Sequence, residues 1–249
     1  MVSDLSNPSP YLVFAIFFIA IVFRYFLVAG IFYGYFFVLN SGKFSTRRLS
    51  RRKLRRGQLK KEILWSVKSS VIFALAGSLT YWLWENGYTA IYLDPSRYGL
   101  WYLPVSLLLA LLLHETYYYW VHRWMHHPRI FRKVHKVHHD SLSPTPWTAF
   151  SFHPWESVIE ALILPLILLI LPMNIYVLGF YLLLMTFSSV INHLNVEIFP
   201  EALRNSWAGK QLINATHHHH HHEEFSTNYG LYFTFWDRWM NTESRNFRK

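Results

Sequence analysis

The stretch YLVFAIFFIAIVFRYFLVAGIFYGYFFVL, residues 11–39, holds a single charged side chain, Arg24. About 20 consecutive apolar residues cross the hydrocarbon of a bilayer as a helix, so this segment is long enough for one span. A lone arginine at bilayer depth costs at least about 2.5–3.5 kcal/mol. Arg24 is therefore expected to find a partner or to snorkel along its helix. No basic run precedes the segment and no clear small-residue cleavage site follows it, which reads as a retained anchor rather than a cleaved signal.

Outward from this anchor the pattern repeats. Ile63–Trp84 is a second apolar run, with Lys68 near its start. Turn signals follow at Asn86-Gly87 and Asp94-Pro95. A third run begins at Leu100 and continues helically past His114 to about residue 121. Residues 158–171 and 175–191 are two shorter runs, broken at Pro172 and Asn174. They read equally as a hairpin of two tilted spans or as a re-entrant pair. The expected fold is an all-α integral membrane protein, a single domain over 1–249, with four to five apolar helical segments and a cytoplasmic histidine-rich helical cap over 114–239.

Composition agrees. The chain is 52% hydrophobic and only 15% charged, against about 25% charged in soluble domains, so much of its surface does not face water. Cysteine is absent, which excludes disulfides, thiolate-held iron–sulfur clusters and thiolate-ligated haem. The net charge of +10 lies entirely in Lys43–Lys61, which carries ten basic residues and no acidic one; the remainder has 14 of each sign. A basic segment between two apolar runs is a cytoplasmic loop by the positive-inside rule, and nucleic acid is not an expected partner. With that loop in the cytoplasm, and with residues 158–171 and 175–191 forming a hairpin, counting spans puts every histidine on the same side.

Three histidine clusters stand out. HETYYYWVHRWMHH, residues 114–127, places His122 and His126 on one helix face, with His114 two turns earlier. HKVHH spaces His135, His138 and His139 at i, i+3 and i+4, and His218, His221 and His222 repeat that spacing within the run His217–His222. Such triplets aim three imidazoles at one point, and neutral imidazole suits iron, zinc and copper. The six-histidine run resembles a purification tag, but 27 residues of ordinary sequence follow it. His127 and His153 each read equally as ligand or as structural residue. Tyr117–Trp120 reads as an interfacial belt, and Gly30 with Gly34 as a small-residue packing pair. His114-Glu115 begins like a zincin motif, but Tyr118 stands where the second histidine belongs. Neither GxGxxG nor GxSxG occurs.

At these residues the chain resembles the fatty acid hydroxylase/sterol desaturase superfamily, most closely its sterol C-5 desaturase (lathosterol oxidase) branch. The stretches that carry the resemblance are HETYYYWVHRWMHH, HKVHH, SPTPWTAFSFHPWE and the tail from ATHHHHHHEEF through NYGLYFTFWDR. The resemblance implies a membrane oxidoreductase of lipid biosynthesis that desaturates or hydroxylates a sterol or fatty acyl substrate. It also implies two iron ions, O2 as co-substrate, and electrons from a b-type cytochrome or a ferredoxin with its reductase. The ligands it implies are His114, His122, His126, His135, His138, His139, His193, His218, His221 and His222, with His127, His153 and His217 as weaker candidates. His219 and His220 occupy places that are often acidic in the family. A ligand histidine usually has an outer carboxylate or carbonyl partner, and Glu223 or Glu224 is the expected substitute. The competing class is a histidine-rich membrane metal-binding or transport protein. The membrane is either a bacterial cytoplasmic membrane or the endoplasmic reticulum.

Overall fold

A computed structural model of the chain describes residues 8–247. Helix α1, Pro10–Tyr33, starts where Ser9 accepts from Leu12 N–H and Pro10 presets the backbone, then widens into a π-helical stretch over Gly34–Leu39. The short α2, Ser41–Ser45, leads into the basic segment, and α3, Gln58–Glu85, follows. A short strand β1, Ile91–Tyr92, precedes α4, Tyr102–Met125. Helices α5, Pro128–Val134, and α6, Lys136–His139, are the next two. After a 3-10 turn over Pro146–Phe150 come α7, Pro154–Ile170, strand β2, Met173–Asn174, and α8, Ile175–Asn192. Helices α9, Glu201–Asn205, α10, Ala215–Glu224, and α11, Phe235–Trp239, complete the described chain.

Among the described residues three helical stretches are long and apolar enough to cross a membrane: Pro10–Leu39, Gln58–Glu85 and Ile175–Asn192. Their outward side chains are apolar, Ile19 and Phe23 on α1 and Leu75 and Leu79 on α3 among them. Helix α7 continues through Pro165 and ends just before Pro172. β1 and β2 pair in parallel, Ile91 with Met173, and tie the α3–α4 connection to the α7–α8 turn.

The helices are joined by small and polar side chains as well as by apolar ones. Gly77 on α3 lies so close to Phe17 on α1 that a Cβ there would sit 3.0 Å from its ring. Gly30 and Gly34 play no such part: a Cβ at Gly34 would meet nothing within 4 Å, and one at Gly30 would make only ordinary contact with Trp147. The turn Pro146–Phe150 is clamped from three sides. The Trp147 carbonyl accepts from Tyr25 (2.8 Å) and Ser66 (3.2 Å), and the Ala149 carbonyl accepts from Ser189 (2.9 Å). Glu62, buried at the start of α3, accepts from Gln58, Ser141 and Thr145 at 2.7–2.8 Å. These bonds fix the connection between α6 and α7, and so the histidines on α6.

Candidate metal centre

The last two turns of α4, all of α6, the C-terminal end of α8 and the buried helix α10 converge. Asn214 caps α10 by accepting from Thr216 and His217 N–H, which lets six successive histidines run as helix. Nine histidines gather into two groups. His122, His126, His135, His139 and His221 form one, and His138, His193, His218 and His222 the other; within each group the candidate ligand atoms lie within 4.8 Å of one another. The i, i+3 and i+4 triplets are shared between groups. In HKVHH, His135 and His139 go to the first and His138 to the second, whereas on α10 His221 goes to the first and His218 and His222 to the second.

The donor geometry fits metal ions. In the first group the Nε2 of His139 lies 3.1 Å from the Nε2 atoms of His126, His135 and His221, and His122 lies 3.1 Å from His135. In the second, the Nε2 of His193 is 3.1 Å from His138 and 2.8 Å from His218, which is 3.1 Å from His222. A hydrogen bond needs one proton per pair, yet several of these rings hold their proton on the other nitrogen. Nδ1 donates to the Tyr229 carbonyl from His122, to Glu156 from His135, to the Ser189 carbonyl from His193 and to the Thr227 carbonyl from His221, all at 2.7–2.9 Å. In the His122–His135 pair both Nε2 lone pairs then face each other and repel unless a cation lies between them. Spacings near 3 Å suit neighbouring ligands each about 2.0–2.1 Å from one ion. Burial holds His135, His138, His139, His218, His221 and His222 well below the ordinary histidine range, and His193 down to about 4, so the rings are neutral. Neutral imidazole is the ligand form.

Carboxylates hold this arrangement from outside. Glu115, fully buried on α4, accepts from the N–H groups of Leu231, Tyr232 and Phe233, the bond to Tyr232 being 2.6 Å. Asp237 accepts from Tyr229 and Gly230 N–H at 2.9 and 2.8 Å. Together they pin the loop whose carbonyls meet His122 and His221. Gly230 is required there, since a Cβ would lie 2.5 Å from the Phe233 oxygen and 2.9 Å from Glu115.

Four histidines singled out in the sequence stand outside both groups. Nδ1 of His114 meets the hydroxyls of Tyr181 (2.7 Å) and Tyr232 (3.1 Å). His127 and His153 cap α5 and α7, accepting from Arg129 and Trp155 N–H. His217 bonds Asn214 at 2.9 Å and stacks on Phe247. Glu223 and Glu224 do not serve a grouped histidine, because i+4 spacing sets them beside His219 and His220 instead. The carboxylate partner is Glu156, within the quoted HPWE but unmarked by spacing. Nor are Tyr117–Trp120 simply a belt: Tyr119 is fully buried, bonded to Thr242 and stacked on Trp236, and Tyr118 lines a cavity.

That cavity, about 340 Å³, runs between α1, α3, α4, α7 and α8. Its walls are apolar over most of their area, with Phe17, Phe73, Ile163 and Leu182 among them. Its lining includes His114 and, from the four-histidine group, His193 and His218; no histidine of the five-membered group lines it.

Residues 107–242 match the family described as fatty acid hydroxylase. Among curated proteins, a Delta(7)-sterol 5(6)-desaturase of Gibberella zeae is 29% identical over 74% of this chain and 55% of its own length. Lathosterol oxidase of Mus musculus is 29% identical over 74% of this chain and 60% of its length. A Delta(7)-sterol 5(6)-desaturase of Schizosaccharomyces pombe is 32% identical over 61% and 44%. The chain thus spans little more than half the length of the first of these relatives. No solved structure matches.

Proposed function

Because the chain belongs to the fatty acid hydroxylase family, we propose that it is a membrane-bound oxidoreductase that desaturates or hydroxylates a lipid, with its two histidine groups each holding one iron ion. The observation that supports this best is the meeting of an apolar cavity with the four-histidine group. His122, His126, His135, His139 and His221 would hold one ion, and His138, His193, His218 and His222 the other. His114 is not in this proposed set, since it belongs to neither group of converging ligand atoms; its Nδ1 meets two tyrosine hydroxyls. A bound iron pair supplies oxidation of an unactivated C–H bond at the expense of O2 and two external electrons.

The chain's own residues do the rest. The Nδ1 donors fix the tautomer and aim Nε2 inward. The cavity excludes water and holds one substrate carbon near His193 and His218, and such positioning is a large share of what a protein contributes to this chemistry. The overall balance is loss of two hydrogens, or gain of one oxygen, by the lipid. In hydroxylation the other oxygen leaves as water with the two electrons and two protons; in desaturation the two lipid hydrogens, the two electrons and two protons together reduce O2 to two waters. A sterol is the favoured substrate class, as the relatives are sterol desaturases by name. The histidine groups lie on the cytoplasmic side in this reading, where the basic segment Lys43–Lys61 offers an acidic electron carrier a docking face.

The test is lipid mass spectrometry of a host expressing the chain or its His138→Ala, His139→Ala double variant. A lipid lacking two hydrogens or carrying one extra oxygen only with the intact chain is the expected result. Identical lipid profiles in a host that supplies sterols, acyl lipids and a reductant would falsify the reading.

A further inference from the structure

A second cavity, about 140 Å³, opens where α3 begins and is walled in part by Val137 of α6. One ordered water needs only roughly 10–15 Å³, so the space admits a group of several heavy atoms. Arg55, Arg56 and Lys61 line it together with two acidic residues, Glu62 and Asp140. Both acids are engaged by the chain. Glu62 accepts from Gln58, Ser141 and Thr145 at 2.7–2.8 Å, and Asp140 is paired with Lys136 at 2.5 Å. The side chains of Arg55, Arg56 and Lys61 make no hydrogen bond or ion pair among the described residues.

Two features distinguish this place from a solvated run of charge. Ser151, only 2% exposed, lines the cavity, and its hydroxyl has no hydrogen-bond partner within the described chain. Buried hydroxyls are normally bonded. Helix α3, 28 residues long, also starts here with no side-chain cap and no acidic residue in its first turn. Its leading N–H groups and the positive end of its dipole are open to an anion.

The chemistry of the occupant follows from these groups. A cation would meet three unpaired positive side chains, and an apolar group would leave the Ser151 hydroxyl and the helix start without partners. A carboxylate brings two oxygens and one charge. A phosphate brings more acceptor oxygens, carries up to about −2 as a monoester, and matches the planar fork of a guanidinium. The place of the cavity names the source. It lies at the first turn of the candidate span Gln58–Glu85, the level at which phospholipid headgroups sit, and basic pockets beside spans attract anionic headgroups.

We infer that this cavity binds the phosphate of an anionic phospholipid headgroup, held by Arg55, Arg56 and Lys61 with the Ser151 hydroxyl and the start of α3. The site is separate from the histidine groups and does not depend on their holding metal.

The test is native mass spectrometry of the full chain in detergent, titrated with dioctanoyl phosphatidic acid or dioctanoyl phosphatidylcholine. Phosphatidic acid is expected to bind at least about tenfold tighter. Equal binding of the two lipids by the intact chain overturns the inference without recourse to any variant. The double variant Arg55→Gln, Arg56→Gln should lose about tenfold in phosphatidic acid affinity. Ser151→Ala, which removes a hydroxyl that no other residue uses, should lose about fivefold at an unchanged melting temperature. Arg51→Gln, Arg52→Gln, Lys53→Gln takes three cations from the same basic segment outside the cavity and should lose little. A loss in that triple variant equal to the loss in the double variant would mean diffuse attraction to the whole segment, and the site would fall. Full affinity in both the double variant and Ser151→Ala would remove it as well. Inorganic phosphate separates the two sources of the group. Failure to displace phosphatidic acid at equal concentration is expected, and displacement would assign the cavity to free phosphate and overturn the lipid reading.

Discussion

The Nδ1 of His135 lies 2.7 Å from Oε1 of Glu156, both side chains buried, across a gap of 21 residues. The bond joins α7, a wall of the cavity, to the five-histidine group. A carboxylate behind a ligand histidine fixes its tautomer and raises its basicity, and removing such a partner typically weakens metal binding about 10–100-fold. Glu156→Ala should lower iron affinity within that range, measured by competition with a chelator. Glu156→Gln keeps an acceptor and should lose less. Equal losses in the two variants would assign Glu156 a packing role alone.

Glu115 and Gly230 make a second, independent test of the outer scaffold. Glu115→Ala strips the partner from three backbone donors at once, Leu231, Tyr232 and Phe233. A typical hydrogen bond contributes about 1 kcal/mol net, and three backbone donors lose their acceptor, so a loss of about 3 kcal/mol is expected. Gly230→Ala should cost a comparable amount through the close approach to the Phe233 carbonyl and Glu115. Thermal melting in detergent reads both. An unchanged melting temperature in Glu115→Ala would show that water replaces the carboxylate.

How much of this was legible beforehand follows from what kind of signal each residue leaves. The spans α1, α3 and α8 announce themselves as apolar runs, since a helix in lipid must be apolar along its whole length. The triplets in HKVHH and in the six-histidine run announce themselves through helical spacing. His193, a single residue at the end of α8, has no neighbour to mark it, and only the family resemblance pointed to it. Spacing also placed His114 beside His122 and His126, but spacing says nothing of Tyr181 and Tyr232, which engage its ring. Glu115 and Asp237 were invisible as supports for another reason: their partners are backbone N–H groups, which every residue but proline carries. The division of each triplet between two groups required the fold, because it depends on how α6 and α10 face each other.

Reduction should depend on salt. Arg51, Arg52 and Lys53 are exposed at the centre of the basic segment. The segment is held to the chain beyond α8, where Ser50 N–H meets the Asn195 side chain at 2.7 Å and Leu49 N–H its carbonyl at 3.0 Å, two residues from His193. An acidic carrier guided to this face feels screening within about 10 Å at 0.1 M salt and about 3 Å at 1 M. Its second-order reduction rate, followed by stopped flow, is expected to fall roughly tenfold between those limits. Reversing the charge of Arg51, Arg52 and Lys53 to glutamate should give the same slow rate at low salt. A rate indifferent to both would place electron entry elsewhere.

Acid should destabilise the iron-free chain over a defined window. Burial lowers His193 to about 4 and His217 to about 3 and holds the other grouped rings of α6 and α10 down as well. In the unfolded chain a histidine titrates near 6.5. Between that pH and the depressed folded values the unfolded state binds more protons, so stability rises with pH and is lost on acidification. Each such ring contributes up to about 1.36 kcal/mol per pH unit across its window. Buried carboxyls, Asp237 and Glu156 among them, are raised by burial and work in the opposite sense, but they are fewer than the depressed rings. The melting temperature of chelator-treated protein should therefore be level above about pH 7.5 and fall steeply from about pH 6.5 toward pH 4. The iron-loaded protein should resist until protons displace the metal from its imidazoles. A level melting curve from pH 8 to pH 5 without metal would mean that the folded chain already carries protons between its facing Nε2 atoms, and the lone-pair arrangement on which the two metal sites rest would fall with it.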